Sequence, residues 1–367
     1  MIKSWDIKKM NRHEKYMALA IKLARRAEGM TSPNPLVGAV IVKKSRIVGK
    51  GYHRKAGLPH AEINALRDAG EKARGATIYV TLEPCDHFGR TPPCTGALIR
   101  SGIKNVVVGM KDPNPANNGR GIKKLRGAGI DVATGVLQKE CLAMNSPYIK
   151  AITKKIPYVT LKLAETIDGK ISSPSGDSKW ITGEDSRRYV QRLRSRVDAV
   201  MVGANTASKD DPLLLSRIKG SKQPMRVIVA GRRQIPQRLK MFQTNNVSDV
   251  IIAHPGKGRI KAYPYAQFLP CRSKNGRVDL RDLLKKLALR GVTHILAEGG
   301  GELAWGLIKE RLVDKFLFFI APKIMGGRSS VTSVEGKGVF RARDAFNLKD
   351  ITVRRFKKDI LIEAERL

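Results

Sequence analysis

The chain has 367 residues, with 70 Lys+Arg against 32 Asp+Glu, a formal net charge of +38. Its 42% hydrophobic and 28% charged residues are enough for a sizeable core and exclude a disordered chain. No apolar run approaches the roughly 20 residues of a membrane helix, no apolar h-region marks the stretch from Met1 to Met17, and four cysteines are too few for a disulfide scaffold, so a cytoplasmic enzyme without membrane contact is expected.

The first half alternates helix and strand patterns. Glu14 to Glu28 sets Met17, Ile21, Ala24 and Ala27 on one helical face. Val37–Val42 and Ile47–Tyr52 read as neighbouring strands, Ala61–Ala73 as a helix, Thr77–Thr81 as a strand, Thr95–Ser101 as a helix and Val106–Gly109 as a strand. A helix from Arg120 to Ala128 and a strand from Ile130 to Thr134 follow. The stretch from Asn145 to Pro157 lacks periodicity and holds two prolines, which places a domain boundary there, with domains at 1–146 and 147–367. The second half restarts with strand Tyr158–Leu163, helix Glu184–Arg196 and strand Asp198–Val202. Strands at Arg226–Val229, Asp249–Ala253 and His294–Ala297, a helix after Gly301 and a strand at Lys315–Ile320 complete a second α/β domain.

One constellation in the first half carries chemistry. His60-Ala61-Glu62 opens a helix, Pro84-Cys85 closes a strand, and Pro93-Cys94 opens the next helix. One His and two Cys make a three-ligand zinc site with a fourth position open to water, whose pKa the metal lowers. Glu62, two residues after the His60 ligand, can carry a proton without binding the metal. Base deaminases use this arrangement with a two-residue spacer between the cysteines; here eight residues separate Cys85 from Cys94, so a loop must return Cys85 to the metal. His87 and Arg90 in that loop are placed to meet a substrate. Cys141 and Cys271 read as plain thiols, and His13, His254 and His294 as structural or exposed.

The run Leu82 to Cys94, with Pro33-Asn34-Pro35, Gly51-Tyr52-His53 and Asp112-Pro113-Asn114-Pro115, resembles the bifunctional deaminase-reductases of riboflavin biosynthesis. The resemblance implies a cytidine-deaminase-like three-layer N-terminal domain. It also implies Zn2+-dependent hydrolytic removal of the 2-amino group from 2,5-diamino-6-ribosylamino-4(3H)-pyrimidinone 5′-phosphate, with Asn34, His53 and Arg90 contacting that substrate.

The second half has neither a Ser-His-Asp order nor a P-loop. Gly299-Gly300-Gly301-Glu302-Leu303-Ala304 fits G-x-G-x-x-A between a strand and a helix, a place where phosphate can approach backbone N–H groups. The glycines come late in the domain, and Asp314 is too near to serve as the ribose acid, which disfavours a standard dinucleotide domain. The runs Leu161 to Lys170, Gly176 to Thr182, Val202 to Pro212 and Glu298-Gly299-Gly300 extend the same family resemblance. They imply a dihydrofolate-reductase-like α/β domain that reduces the ribosylamino to a ribitylamino chain with NADPH. By motif match, Ala164, Trp180, Thr206, Asp210 and the segment Gly300, Gly301, Glu302, Leu303, Ala304, Trp305 and Gly306 would hold the cofactor. Ser178, Arg194, Leu214, Arg217 and Glu298 would hold substrate, Arg194 and Arg217 supplying guanidinium forks for its phosphate. Lys162, Asp210 and Glu298 are the titratable candidates for the proton donor, unranked.

Three positions depart from the family pattern: Asp86 where Ser is usual, Asn205 where Gly is common, and Ala230-Gly231 where an acidic and a small residue are usual. The charge excess is spread over both halves, with only short runs such as Arg232-Arg233 and Arg354 to Lys358. The excess therefore does not call for nucleic acid, and the family resemblance implies a small phosphorylated pyrimidine as the partner, in a homo-oligomer. The competing reading is a nucleic-acid base deaminase with a basic accessory domain, which strongly salt-dependent RNA binding would reveal.

Overall fold

A computed structural model describes residues 10–89, 92–231, 234–244, 250–256 and 266–367. The chain forms two compact units, Met1–Lys155 and Ile156–Leu367. The division falls later than residue 146 because Ser146–Lys154, aperiodic in sequence, is a helix tied to the first unit. Asn145 at its start exchanges two hydrogen bonds with the Leu36 backbone, and the Tyr148 hydroxyl donates to Asp112.

In the first unit the elements are α1 (Arg12–Ala24), β1 (Gly38–Lys43), β2 (Arg46–Tyr52), α2 (Ala61–Ala69), β3 (Thr77–Leu82), α3 (Cys94–Arg100), β4 (Asn105–Met110), α4 (Arg120–Gly127), β5 (Asp131–Thr134), α5 (Gln138–Met144) and α6 (Ser146–Lys154). Asn11 caps α1 in a reciprocal box with Glu14, which satisfies two end N–H groups. The sheet order is β2-β1-β3-β4-β5, with β1 antiparallel to β2 and β3, and β3, β4 and β5 parallel. Continuous buried runs in β1, β3 and β4 reflect strands covered on both faces. Met17, Ile21 and Ala24 of α1 join Val40, Ile41, Ile78 and Val80 in the core. This is the expected α/β architecture around a cytidine-deaminase-like sheet.

In the second unit the strands are β6 (Tyr158–Thr166), β7 (Lys170–Ser172), β8 (Ala199–Gly203), β9 (Met225–Val229), β10 (Val250–Pro255), β11 (Gln267–Cys271), β12 (Ser273–Lys274), β13 (Arg277–Val278), β14 (His294–Glu298), β15 (Lys315–Ala321), β16 (Val331–Thr332), β17 (Leu348–Phe356) and β18 (Asp359–Arg366). The helices are α7 (Glu184–Arg194), α8 (Ala204–Asp210), α9 (Leu280–Leu289) and α10 (Gly301–Lys309). Nine strands form one sheet in the order β11-β10-β9-β8-β14-β6-β15-β18-β17, parallel from β11 to β15, with β18 and β17 antiparallel at one edge. Side chains alternate faces along each strand. Met201, Val227 and Ile251 therefore pack with α9 and α10, while Val200, Ile228 and Ile252 pack with Ala207 of α8 and Phe242. Among the described residues no helix is long and apolar enough to cross a membrane.

His294, at the start of β14, contacts Thr160 Oγ1 through Nε2 at 2.9 Å and sets its ring edge-on to Tyr158. Burial pushes its pKa from 6.5 down to about 4, outweighing the pull of Asp198. Below its ordinary value the unfolded chain takes up a proton that the fold refuses until about pH 4. The stability this site contributes is present above pH 6.5 and is lost as the pH falls toward 4. His294→Gln is therefore expected to shrink the drop in thermal midpoint between near-neutral and mildly acid buffer, measured for the second unit by calorimetry.

Candidate active sites

In the first unit β3 delivers Glu83-Pro84-Cys85 at its end, α3 starts at Cys94, and His60 occupies the cap position of α2. The first turn of α2 lies directly on β2 because Gly51 has no side chain; a Cβ there would stand 2.3 Å from the Ala61 carbonyl oxygen. His60 Nδ1 lies 3.3 Å from Cys94 Sγ and 3.6 Å from Cys85 Sγ, and the three ligand atoms all fall within 4.8 Å of one another. Tetrahedral zinc, with bonds of about 2.1 Å to nitrogen and 2.3 Å to sulfur, separates an N and an S ligand by roughly 3.6 Å. The donor set fits zinc in number, chemistry and spacing. Cys94 is buried, whereas His60 and Cys85 keep an open side. The Cys94 backbone N–H donates to Cys85 Sγ at 3.4 Å, and the Cys94 thiol and His60 favour Cys85 as thiolate.

Glu62 is 3% exposed, and burial raises its carboxyl pKa to about 7, with the Cys85 thiolate adding to the rise. Its Oε2 has no hydrogen-bond partner among the described residues. A carboxyl group so placed can take up a proton and return it. Beside it, His53 Nδ1 donates to the Pro59 carbonyl at 3.3 Å, which leaves Nε2 to accept from Asn34 Nδ2 at 3.1 Å. The His53 and His60 rings meet edge to face at 5.3 Å. The fold thus brings Asn34 and His53 to the cluster; Arg90 lies outside the described residues.

Two residues outside the expected set support the cysteines. Asp86 accepts from Thr95 Oγ1 at 2.7 Å and Lys124 Nζ at 2.6 Å, so it ties the loop after Cys85 to α3 and α4. Glu83, 3% exposed, accepts the backbone N–H groups of Asp112, Gly119 and Ile122 at 3.0–3.2 Å. Its sequence signal was a carboxylate at the end of an apolar strand, next to the ligand-bearing Pro-Cys. Glu83→Ala would strand three backbone donors, each costing about 1–3 kcal/mol when buried and unsatisfied. We expect faster zinc transfer to a chelator and a lower thermal midpoint for this unit, while the second unit keeps its own midpoint.

In the second unit a cleft of about 1390 Å³ collects most of the expected reductase residues: Lys162, Ala164, Ser178, Trp180, Arg194, Thr206, Asp210, Leu214, Arg217 and Glu298 all line it. Gly300 caps α10, and its N–H donates to Thr206 Oγ1 at 3.2 Å. The cleft has the size and the glycine-lined helix start that a pyridine dinucleotide needs. Helical periodicity divides the glycine segment. Gly300, Glu302, Leu303 and Gly306 face the cleft, whereas Ala304 is in the core, Trp305 packs edge-on to Phe346 and Gly301 is enclosed by Thr332 and Glu335. Those last three positions are not among the residues that line the cleft.

Arg194 lines the cleft with its guanidinium held by protein groups. Its Nε and Nη2 grip the two oxygens of Glu298 at 2.7 and 3.0 Å, and Nη1 donates to the Leu215 carbonyl, so its fork is committed to protein. Lys162 Nζ stands 3.8 Å from Glu298 Oε2. Burial opposes ionisation of Glu298, but Arg194 and Lys162 overcome it and hold the carboxylate below its ordinary pKa. Burial lowers the Lys162 pKa, and Glu298 offsets part of that. Asp210, raised by burial, accepts from Ser178 Oγ at 3.2 Å. Arg217 is exposed at the cleft edge.

The family model for the cytidine and deoxycytidylate deaminase zinc-binding region matches residues 10–110, and that for the RibD C-terminal domain matches residues 157–362. The chain is 45% identical over 351 residues to a riboflavin biosynthesis protein RibD of Aquifex aeolicus, covering 94% of this chain and 98% of the relative. It is 42% identical to the RibD of Escherichia coli, over 85% of this chain and 88% of the relative. Among solved structures it is similar to Acinetobacter baumannii RibD, with TM-score 0.89 and 36% identity over 97% and 99% of the two chains. A deaminase/reductase from Thermotoga maritima gives TM-score 0.87 and 36% identity at the same coverage.

Proposed function

The chain belongs to the RibD family of bifunctional deaminase-reductases of riboflavin biosynthesis, and on that premise we propose which substrate, cofactor and residues serve its two reactions. The first reaction is hydrolytic deamination of 2,5-diamino-6-ribosylamino-4(3H)-pyrimidinone 5′-phosphate; the second reduces the product's ribosylamino group to ribitylamino with NADPH, both in the cytoplasm. The observation that carries the reading is the pairing of a His60-Cys85-Cys94 cluster and a buried, half-satisfied Glu62 with a second unit whose cleft holds a mostly buried Lys-Glu-Arg triad.

His60, Cys85 and Cys94 would hold zinc, which supplies Lewis acidity that makes water a nucleophile at neutral pH. Glu62 is placed to take a proton from the attacking water and pass it to the departing amine. Asn34, fixed by His53, presents its amide to the substrate; Arg90 completes the contact set. In the second unit NADPH supplies hydride. Gly300, Glu302, Leu303, Gly306, Ala164, Trp180, Thr206 and Asp210 line its place, and Ser178, Leu214, Arg217 and Glu298 that of the substrate. Opening the ribosylamine ring requires a proton at the ring oxygen. Lys162 is the donor, because Arg194 keeps Glu298 ionised and leaves it no proton to give. Arg217 takes the phosphate, since the Arg194 fork is occupied. Self-association belongs to the same reading; exposed Phe340, Ile351 and Val353 offer apolar surface for it, and light scattering tests it.

Anaerobic incubation of the diaminopyrimidine phosphate without NADPH should yield the deaminated mass alone; with NADPH, the reduced ribityl product. Reduction before deamination, or no product in either case, would overturn the reading.

A further inference from the structure

The cleft wall of the second unit is built partly by a strap, residues 322–335, that holds little regular structure of its own. It touches the cofactor side at two separated points. Near one end, Lys323 Nζ donates to the Trp180 carbonyl at 2.7 Å. Near the other, the Glu335 backbone N–H donates to the carbonyl of Gly301, the first residue of α10, at 3.2 Å. Trp180 is 61% exposed, and beyond the Lys323 contact its ring is held by the Arg187 guanidinium, 4.5 Å above the ring centroid. Val331 and Glu335 of the strap line the cleft themselves.

What fixes the strap is the turn between β6 and β7. The Asp168 carboxylate accepts the backbone N–H of Met325 at 3.1 Å and of Gly326 at 2.8 Å, and the Thr166 hydroxyl at 2.5 Å. The Ile167 N–H donates to the Lys323 carbonyl, Ser333 N–H to the Gly169 carbonyl, and β16 pairs with β7. Three donors converge on one side chain that is exposed to solvent and lies outside the hydrophobic core, and two of the three come from the strap. Their hydrogen bonds, Thr166 first, hold the Asp168 pKa down at about 2, so the carboxylate is charged throughout the working range.

We propose that Asp168 is a positioning residue of the reductase: by anchoring Met325 and Gly326 it sets Lys323, and through Lys323 the Trp180 wall against which the cofactor binds. The inference rests on the reading of this cleft as the NADPH site. Asp168 itself does not line the cleft, so it acts through the strap and not on the reacting atoms. A loosened wall weakens binding before and during the chemical step alike, which appears in KM rather than kcat.

The test uses the full-length enzyme with zinc bound and pre-deaminated substrate. Asp168→Ala is expected to raise the KM for NADPH roughly tenfold while kcat changes less than about threefold. Asp168→Asn, which keeps one acceptor oxygen, should fall between. Lys323→Met, a surface change, should raise the same KM, and the Asp168→Asn/Lys323→Met double variant should show less than the product of the two effects, as members of one linkage do. The deaminase rate of each preparation controls for folding. Trp180→Ala separates the two ideas. If it leaves the KM for NADPH unaltered, the cofactor reading of the cleft fails and this proposal with it. If it raises that KM and the Asp168 and Lys323 variants do not, the strap proposal alone is overturned, as it is if the Asp168 variants lower only the thermal midpoint.

Discussion

Glu62→Gln is expected to lower the deamination rate by about 10²–10⁴, the range typical of losing a positioned acid-base group. Gln preserves shape and buries at the same site, but it cannot accept a proton from water and return it to the amine. Zinc content should stay near one per chain, because Glu62 is not among the three ligand atoms that cluster within 4.8 Å. Reduction of pre-deaminated substrate should continue. Metal analysis, ammonia release and NADPH oxidation on a single preparation read all three. Loss of zinc together with deamination would show that Glu62 supports the cluster and does not act on the substrate.

Glu298→Gln should be the most damaging single change in the second unit. Glu298 is the one carboxylate between Arg194 and Lys162, all three with side chains at most 16% exposed. Removing one partner of such a group leaves charge buried without compensation, at about 3–5 kcal/mol. Two results are expected together: a lower denaturant midpoint for this unit, and NADPH oxidation reduced by about a hundredfold or more. Lys162→Met separates the effects. It removes the proposed proton donor while Arg194 still neutralises Glu298, so kcat should collapse with a smaller loss of stability. Full stability in Glu298→Gln would mean that the three groups are more hydrated than their packing indicates.

The zinc cluster was legible because its residues sit at element ends, where sequence signals are strongest: a His before a helix and a Pro-Cys after a strand. Much of the parallel sheet was legible too, because strands covered on both faces are continuous apolar runs. The second unit's far end was not. In β17 no residue is buried, so no alternation betrays it, although β18 pairs it along most of its length. Helix α9 is a different case. Asp279 caps it and Leu283, Leu284 and Leu287 repeat on one face, a pattern present in sequence. Which residues of Gly300 to Gly306 line the cleft was not legible either, because a motif is a contiguous string, whereas a helix shows a cleft only every third or fourth residue. The committed fork of Arg194 was invisible for another reason: its partner Glu298 lies 104 positions away.

The strand order carries a consequence for how the chain is made. The first unit's sheet is complete once β5 at Thr134 has emerged from the ribosome, and each of its parallel neighbours follows the other closely along the chain. Strand β6 begins the second unit, yet its two neighbours are β14 and β15, more than 130 residues downstream. Its apolar side chains have no lasting partner until synthesis is nearly over. Loop closure over such a span is slow, and exposed strands of this kind recruit chaperones or other nascent chains. The deaminase half can therefore be folded, and able to load metal, while the reductase half is still an unpaired strand waiting for its sheet.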